Sequence, residues 1–335
     1  MGWKGNVRSI NSALNELERS AARRQRELAR QQVQASKMAE VERAAYEVAV
    51  FENTIDVLTS LHRETPGLTD WSAVAAAPEA QMPADEWPTL ASAQSALDAY
   101  VPKGLAKIGS LGERKRASLA EAVDAARAHD EAANRQRMEA YEADHARWRS
   151  GRDIAERVLA GEVSGYNDAF SEMTSFSDMG ALGTQVGFTF YAPSLVGATI
   201  DVHGTDVVPH EVKSQLKSGK LSTKQMPKGR FYETYQDYVC GAVLRVANDL
   251  AALLPVNAVV VTAVDEVLDS STGRMAEQAL VSAVVPRETL EKLDLERVDP
   301  SDAFTNFVHR MNFKKTTGFV PVEPLTADDV PADLR

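Results

Sequence analysis

The stretch FYETYQDYVCGAVLRVANDLAALL, Phe231 to Leu254, followed after Pro255 by VNAVVVTAV, Val256 to Val264, decides the fold. The first part runs without proline and is apolar over more than one face, which predicts a buried helix. The second part is a strand. Its consecutive Val259, Val260 and Val261 put β-branched residues in both phases of a two-residue alternation, so this strand is covered on both faces. A buried helix feeding a doubly covered strand is the centre of an α/β core, and the neighbouring segments supply the rest.

Upstream, Val186, Phe188 and Phe190 alternate with smaller residues over Gln185 to Tyr191, a strand pattern, after a short helix around Tyr166 to Met179. Pro193 and Gly197 bracket a turn, Val196 to His203 reads as a second strand, and Gly204-Thr205 opens a further turn before a third strand, Asp206 to Lys213. A lysine-rich loop continues to Arg230. Downstream, Ala279 to Val285 is a strand that turns at Pro286 into a helix over Thr289 to Leu293, and Asp299-Pro300-Ser301 predicts the cap of a helix from Asp302 to Met311. Past Gly318, Pro321, Pro324 and Pro331 with four acids predict an extended tail.

The N-terminal half is different. Val7 to Thr65 contains no proline or glycine and is rich in Ala, Arg, Glu, Gln and Leu, residues that lose least entropy in a helix. Its second half carries Val41, Ala44, Val48, Phe51, Ile55, Leu58 and His62 at alternating spacings of three and four, a heptad stripe that another helix must cover. Its first half interleaves Ile10, Leu14, Leu17, Ala21 and Leu28 with five arginines and is expected to be solvated or weakly paired. Thr65-Pro66-Gly67 stops the helix. A connector follows with four prolines from Pro66 to Pro88, Trp71, Trp87 and a short helix from Leu90 to Tyr100. A second long helix extends from Glu113 to Leu159, with Met138, Tyr141, His145 and Trp148 at helical spacing. The expected class is α+β: a long N-terminal helical hairpin or coiled coil, then a C-terminal α/β domain with a mixed sheet. The expected divisions are a first long helix at 1–65, a connector at 66–112, a second long helix at 113–160, an α/β head at 161–325 and an acidic tail at 326–335. The hairpin is expected to mediate oligomerisation or to bind a partner protein.

Composition narrows the function classes. The 335 residues carry 48 acidic against 37 basic side chains, a net charge of −11, which argues against a globally basic nucleic-acid coat. The single cysteine, Cys240, excludes an internal disulfide framework and a cysteine-only zinc site. No run of 18 apolar residues and no apolar signal core is present, so no membrane partner is expected and the cytoplasm is the expected location.

Against that acidic average, Lys213, Lys217, Lys220, Lys224, Lys228 and Arg230 place six cations in 18 residues with no acid among them. Ser214, Ser218, Ser222 and Thr223 and the amides of Gly219 and Gly229 could complete a surface for phosphate. A nucleotide or nucleic acid is the ligand this pattern suggests, and a solvated loop of ordinary lysines is the alternative. It is not a Walker loop, because Leu221 follows Gly219-Lys220 where that motif needs Ser or Thr.

A second constellation is Asp201 with Glu211-Val212-Lys213. Residues two apart on a strand share a face, so Glu211 and Lys213 would point together, with Asp201 at the end of the preceding strand. Two carboxylates on one point suit magnesium, and a lysine beside them can hold a phosphate or orient a water. The order helix, strand, strand, strand, helix, strand from Tyr166 to Val264 resembles the core of the PD-(D/E)xK nucleases. That resemblance implies Asp201 and Glu211 as metal ligands, Lys213 as the catalytic lysine and metal-dependent phosphodiester hydrolysis as the reaction; Ile200 stands where the family motif has proline. The plain alternative is surface charges on a hairpin.

His203 and His210 flank the same turn, either as metal ligands or as exposed turn residues. Cys240 is spaced as a small core residue, and Tyr232, Tyr235 and Tyr238 as the packing and hydrogen-bonding face of their helix. His309-Arg310 and Lys314-Lys315 form a smaller basic cluster that would extend the lysine patch if the last helix folded back. The run from Lys213 to Gly241, which contains KSGKLSTKQMPKGRFYETYQDYVCG, also resembles segments of uncharacterised bacterial proteins that join an N-terminal coiled coil to a C-terminal α/β domain. That resemblance implies a bacterial cytoplasmic origin and the same division of the chain, with no activity attached.

Overall fold

The computed structural model describes residues 40–64, 67–104, 110–172, 185–269 and 272–335. The first half of the expected N-terminal coiled coil, residues 1–39, lies outside the described residues, as does the end of the helix expected to reach Met179. The described chain is α+β with a mixed sheet. It forms two compact units, residues 73–153 and residues 40–72 together with 154–335.

In the first unit, helix α3 (Pro88–Asp98) packs beside the long helix α4 (Ser110–Leu159). Helix α3 has no capping side chain of its own, so its orphan amides need another acceptor. Asp130 of α4, almost fully buried, takes that role by accepting the Leu90 amide at 2.9 Å. One turn further on, Asn134 clasps the Glu86 backbone, its Oδ1 accepting from the amide and its Nδ2 donating to the carbonyl, both at 3.1 Å. The predicted aromatic stripe of α4 is used in the same way. Trp148 donates its indole N–H to the Ala77 carbonyl at 2.9 Å, and His145 stacks between Tyr141 and Trp148 while contacting Glu79 at 2.7 Å.

The second unit is built on a six-stranded sheet of order β1-β2-β5-β6-β7-β8, comprising β1 (Gln185–Ala192), β2 (Leu195–Asp201), β5 (Ala258–Asp269), β6 (Arg274–Pro286), β7 (Val308–Lys314) and β8 (Gly318–Val320). Strands β2 and β5 are parallel and every other pair is antiparallel. The connection from β2 to β5 carries a separate two-stranded hairpin, β3 (Glu211–Gln215) and β4 (Leu221–Gln225), and then helix α6 (Lys228–Leu253). Helix α6 lies over one face, against Val196, Ala198 and Ile200 of β2 and Val259, Val261 and Ala263 of β5. The C-terminal segment covers the other face, where Leu325 and Val330 pack on Leu195, Ala258, Val260 and Val284. The double burial predicted for Val259 to Val261 is therefore met by two different covers. On the C-terminal side the polar groups are also matched, since the Thr262 and Ser282 hydroxyls bond each other at 2.8 Å and Ser282 accepts the Leu325 amide at 2.9 Å. Gly197 admits a close approach here: a Cβ at that position would sit 2.7 Å from the Tyr191 ring.

Helix α6 is buried on its outer side too. Helix α1 (Glu40–Thr59) and the 3-10 turn Leu61–Arg63 pack there, burying Phe51, Leu58 and His62. The heptad stripe of the first long helix is thus covered by the head's own helix and by the β3–β4 hairpin. His62 has no solvent exposure; its Nε2–H donates to the Val298 carbonyl at 3.1 Å, and burial lowers its pKa, which keeps it neutral. Arg245 of α6 grips both oxygens of Asp249 at 2.9 and 2.8 Å and reaches Glu64 at 2.6 Å, tying the end of the 3-10 turn to the helix. Trp71, the first residue of the short helix α2 (Trp71–Ala75), donates to the Leu253 carbonyl. The remaining carbonyls at the C-terminus of α6 meet Arg287, which opens helix α7 (Arg287–Glu291) and donates to Ala251, Leu254 and Val256.

Four segments differ from the sequence reading. The helix predicted for Asp302 to Met311 is a single 3-10 turn, Asp302–Asn306, followed by β7. Asp299 caps that turn as expected, accepting the Ser301 and Asp302 amides at 2.9 and 3.1 Å, but pairing with β6 takes the backbone from Val308 onward. The lysine-rich loop is the β3–β4 hairpin. The tail adds strand β8 and two further 3-10 turns, and helix α5 (Val163–Glu172) begins earlier than predicted.

The buried Arg245 triad yields a stability test. Arg245→Ala strands the Asp249 carboxylate, 2% exposed, without its partner, and is expected to cost about 3–5 kcal/mol in urea unfolding. Replacing both residues by apolar side chains of similar size is expected to recover most of that loss.

Candidate phosphate-binding hairpin

The hairpin pairs Glu211 with Gln225, Val212 with Lys224, Lys213 with Thr223, Ser214 with Ser222 and Gln215 with Leu221. Gly219 makes its turn possible, with φ at +83° and its amide donating to the Leu216 carbonyl at 2.8 Å. The base is anchored to the core. Met226 is buried and its amide donates to the His210 carbonyl at 2.8 Å, while the His210 ring stacks on Phe231 with centroids 5.1 Å apart.

Alternation along the two strands sends the cations to different fates. Lys213 lies on the face that meets α1, where its ammonium contacts Glu47 at 2.8 Å. From the same face Gln215 donates to the Val41 carbonyl at 3.0 Å, and Val41 lies so close to the turn that a Cβ on Gly219 would come within 3.1 Å of it. The Arg230 guanidinium sits over the Phe51 ring at 5.9 Å. Lys217, Lys220, Lys224 and Lys228 are exposed and have no ionic partner among the described residues. Of the six predicted cations, four therefore present free charge and two are engaged by α1.

Asp201, Glu211 and Lys213 fall on two different sheets. Asp201 ends β2 in the large sheet and is exposed, whereas Glu211 and Lys213 open β3 in the hairpin. Among the described residues no group of three or more His, Cys, Asp or Glu side chains is placed to share one metal ion. Near Asp201 lies Asp265 of β5, one residue past the stretch of β5 paired in parallel with β2, and its carboxyl accepts the Tyr235 hydroxyl at 3.1 Å. Burial pushes the Asp265 carboxyl up; the Tyr235 hydroxyl and the Glu266 amide oppose that, and the charges of Asp201 and Glu266 add to it. Burial, and then the Asp265 charge, push the Tyr235 phenol up in turn. The sequence marks Tyr235 only as a packing and hydrogen-bonding residue and leaves Asp265 unmarked. The available signal is an acid directly following an apolar strand.

The other candidates also find places. Tyr238 accepts the His203 amide through its hydroxyl at 3.3 Å. Cys240 is fully buried with its Sγ 3.8 Å from the Met311 sulfur, and burial pushes its thiol well up, so it packs as a small core residue. The second basic cluster is tied to acids: Arg310 to Asp329 at 2.7 Å, and Lys315 to Glu233. Comparison with protein-family models, with curated proteins and with solved structures finds no match to this chain.

Glu233 belongs to an acidic group around Asp237 on α6. Burial first, and then the charges of Asp299, Glu233 and Asp302, push the Asp237 carboxyl up to about 7. An unfolded aspartate ionises near pH 3.9, so between about 4 and 7 the folded chain holds a proton that the unfolded chain has lost. Stability therefore falls through this window as pH rises, on account of this group. Asp237→Asn is expected to flatten that slope and to raise stability at pH 8 more than at pH 5, read from urea midpoints; a slope unchanged by the substitution would contradict the assignment.

Proposed function

We propose that this chain is a non-enzymatic interaction protein whose second unit binds a phosphate-bearing ligand through the β3–β4 hairpin. The observation that carries the reading is the free charge of Lys217, Lys220, Lys224 and Lys228 in a chain of net charge −11. Ser218, Ser222 and Thr223 lie between these lysines, Ser214 just before them, and all can donate hydroxyl hydrogen bonds to phosphate oxygens. The helix-favouring composition of the first half of the sequence supports self-association as a coiled coil or helical hairpin, and the cytoplasm is the proposed location. No helix among the described residues is long and apolar enough to cross a membrane.

The test is binding of a labelled oligonucleotide and of a labelled nucleotide by fluorescence anisotropy over a salt series. The variant with Lys217, Lys220, Lys224 and Lys228 all changed to Gln is expected to lose binding and to flatten the salt dependence by about 0.7–0.9 log units for each phosphate it no longer neutralises. Its circular dichroism should match wild type, because these side chains are exposed. Salt-insensitive binding that survives the four substitutions would refute the reading.

Magnesium-dependent phosphodiester hydrolysis is the second reading, favoured by the order of elements α5, β1, β2, β3, α6 and β5. Asp201 and Glu211 would hold the ion, which would supply charge stabilisation to a phosphodiester. Lys213 would have to leave Glu47 to serve there. Cleavage of DNA or RNA that requires magnesium and disappears in Glu211→Ala is the outcome this reading expects; no cleavage by wild type would end it.

A further inference from the structure

We infer that the exposed face of the ribbon formed by the far ends of β5 and β6 is a docking surface for a second copy of this chain, which it meets through the tip of that copy's β3–β4 hairpin. The inference pairs the hairpin lysines with carboxylates and does not depend on the phosphate-binding reading.

The ribbon is the part of the large sheet that outruns its neighbours. Strand β5 pairs with β2 only as far as Val264, and β6 pairs with β7 only as far back as Val281. Among the described residues, Asp265 to Asp269 and Arg274 to Gln278 are therefore paired as strands only with each other. Alternation gives this ribbon two faces. One is held by the unit, because Asp265 accepts the Tyr235 hydroxyl and Val267 packs against the core. The other carries Leu268 directly across from Met275, 65% and 58% exposed, and Glu266 directly across from Glu277, both exposed. Like charges directly opposed on a strand pair are destabilising, and neither glutamate has an ionic partner among the described residues. An apolar pair beside two unmatched carboxylates is complementary to an apolar side chain flanked by cations.

The same chain carries that complement. Leu216 at the hairpin turn is 51% exposed, its amide donates to the Lys220 carbonyl at 2.9 Å, and Lys217 follows it, so two free cations stand beside one bare leucine. Both elements are fixed in place, the hairpin by the Lys213 and Gln215 contacts to α1 and the ribbon by Tyr235. Among the described residues no ion pair joins them within one copy. Charges left unmatched inside one copy are matched between two. Placing Leu216 against Leu268 and Met275 supplies an apolar centre and keeps water from the ammonium–carboxylate pairs around it. The contact joins two different surfaces, so it is heterologous and repeats from copy to copy unless a ring closes. A phosphate-bearing ligand on the hairpin would compete with it.

The experiment follows self-association of the full chain by sedimentation velocity over a concentration series. Three forms are compared: wild type, a ribbon variant with Glu266→Lys and Glu277→Lys, and a hairpin variant with Lys217→Glu and Lys220→Glu. Wild type is expected to self-associate, and each variant alone to do so about tenfold more weakly or worse, because like charges then meet at the contact. An equimolar mixture of the two variants is expected to regain the wild-type association, since every ribbon then finds a hairpin of opposite charge. That recovery also shows that both variants fold. A wild type that stays monomeric leaves the ribbon to a basic partner of another kind and overturns the inference. Association unchanged in both variants assigns it to the helical half of the chain and overturns the inference as well. Variants that both weaken association without recovery on mixing overturn the pairing of ribbon with hairpin. The ribbon variant keeps every hairpin lysine, so its binding of a labelled oligonucleotide reports on the phosphate-binding reading separately.

Discussion

Burial of α6 on two sides is the constraint from which the rest of the second unit follows. Seventeen of its side chains are buried, and fully burying a single leucine or valine contributes about 1.5–3 kcal/mol. A helix that apolar cannot rest on a sheet with its back to water. The sheet covers one side, and the other must be closed by α1 and the 3-10 turn carrying His62. Their approach is close enough that a Cβ on Gly241 would lie 3.5 Å from the His62 ring. Once α1 is held there, its first turn sits at the tip of the β3–β4 hairpin, and Glu47 comes within reach of Lys213. The position of the lysine hairpin is therefore a consequence of how α6 is covered.

Much of this fold is legible in the sequence because its signals are local. The triple valine of β5, the Phe188 and Phe190 alternation of β1 and the proline-free run of α6 each state their period and burial within a dozen residues. Residues 308–314 are not legible, because their conformation is set by β6. VHRMNFK has no strong alternation, and hydrogen bonding to Val281 through Val284 on one side and to β8 on the other makes it a strand. Asp299 advertises a helix start, and the chain honours it for one turn before the sheet takes over. The cover of α1 is hidden for a similar reason. A stripe at three and four spacing says that something apolar must lie on it, but the stripe is blind to whether that is a second coiled-coil strand or the head's own helix.

At the hairpin the sequence displays the charge and hides its accounting. Six cations without an acid are visible in one line of text, whereas Glu47, the residue that neutralises Lys213, lies 166 positions away and is an ordinary member of a helical segment when read alone. The same holds for Asp201: Glu211 and Lys213 follow it closely in sequence but join another sheet, while Asp265, whose carboxyl feels the Asp201 charge, comes from the far side of α6 in sequence. Short sequence spacing does not say which sheet a strand joins, and β3 pairs with β4.

A single net charge is a poor guide to how such a chain meets a polyanion. A uniformly distributed −11 would repel a phosphate backbone from every side, and near physiological ionic strength exposed charges are felt only within about 8 Å. Screening therefore makes the local sign decide contact, and it does so most strongly where neighbouring charges lie closer together than that length. The hairpin gathers its lysines near the turn, and Glu233 and Asp237 of α6, with Asp299 and Asp302 facing them, gather acids elsewhere. Helix α6 thus begins beside exposed cations and carries acids farther along. Segregated charge of this kind gives a surface a local sign that its net charge does not report.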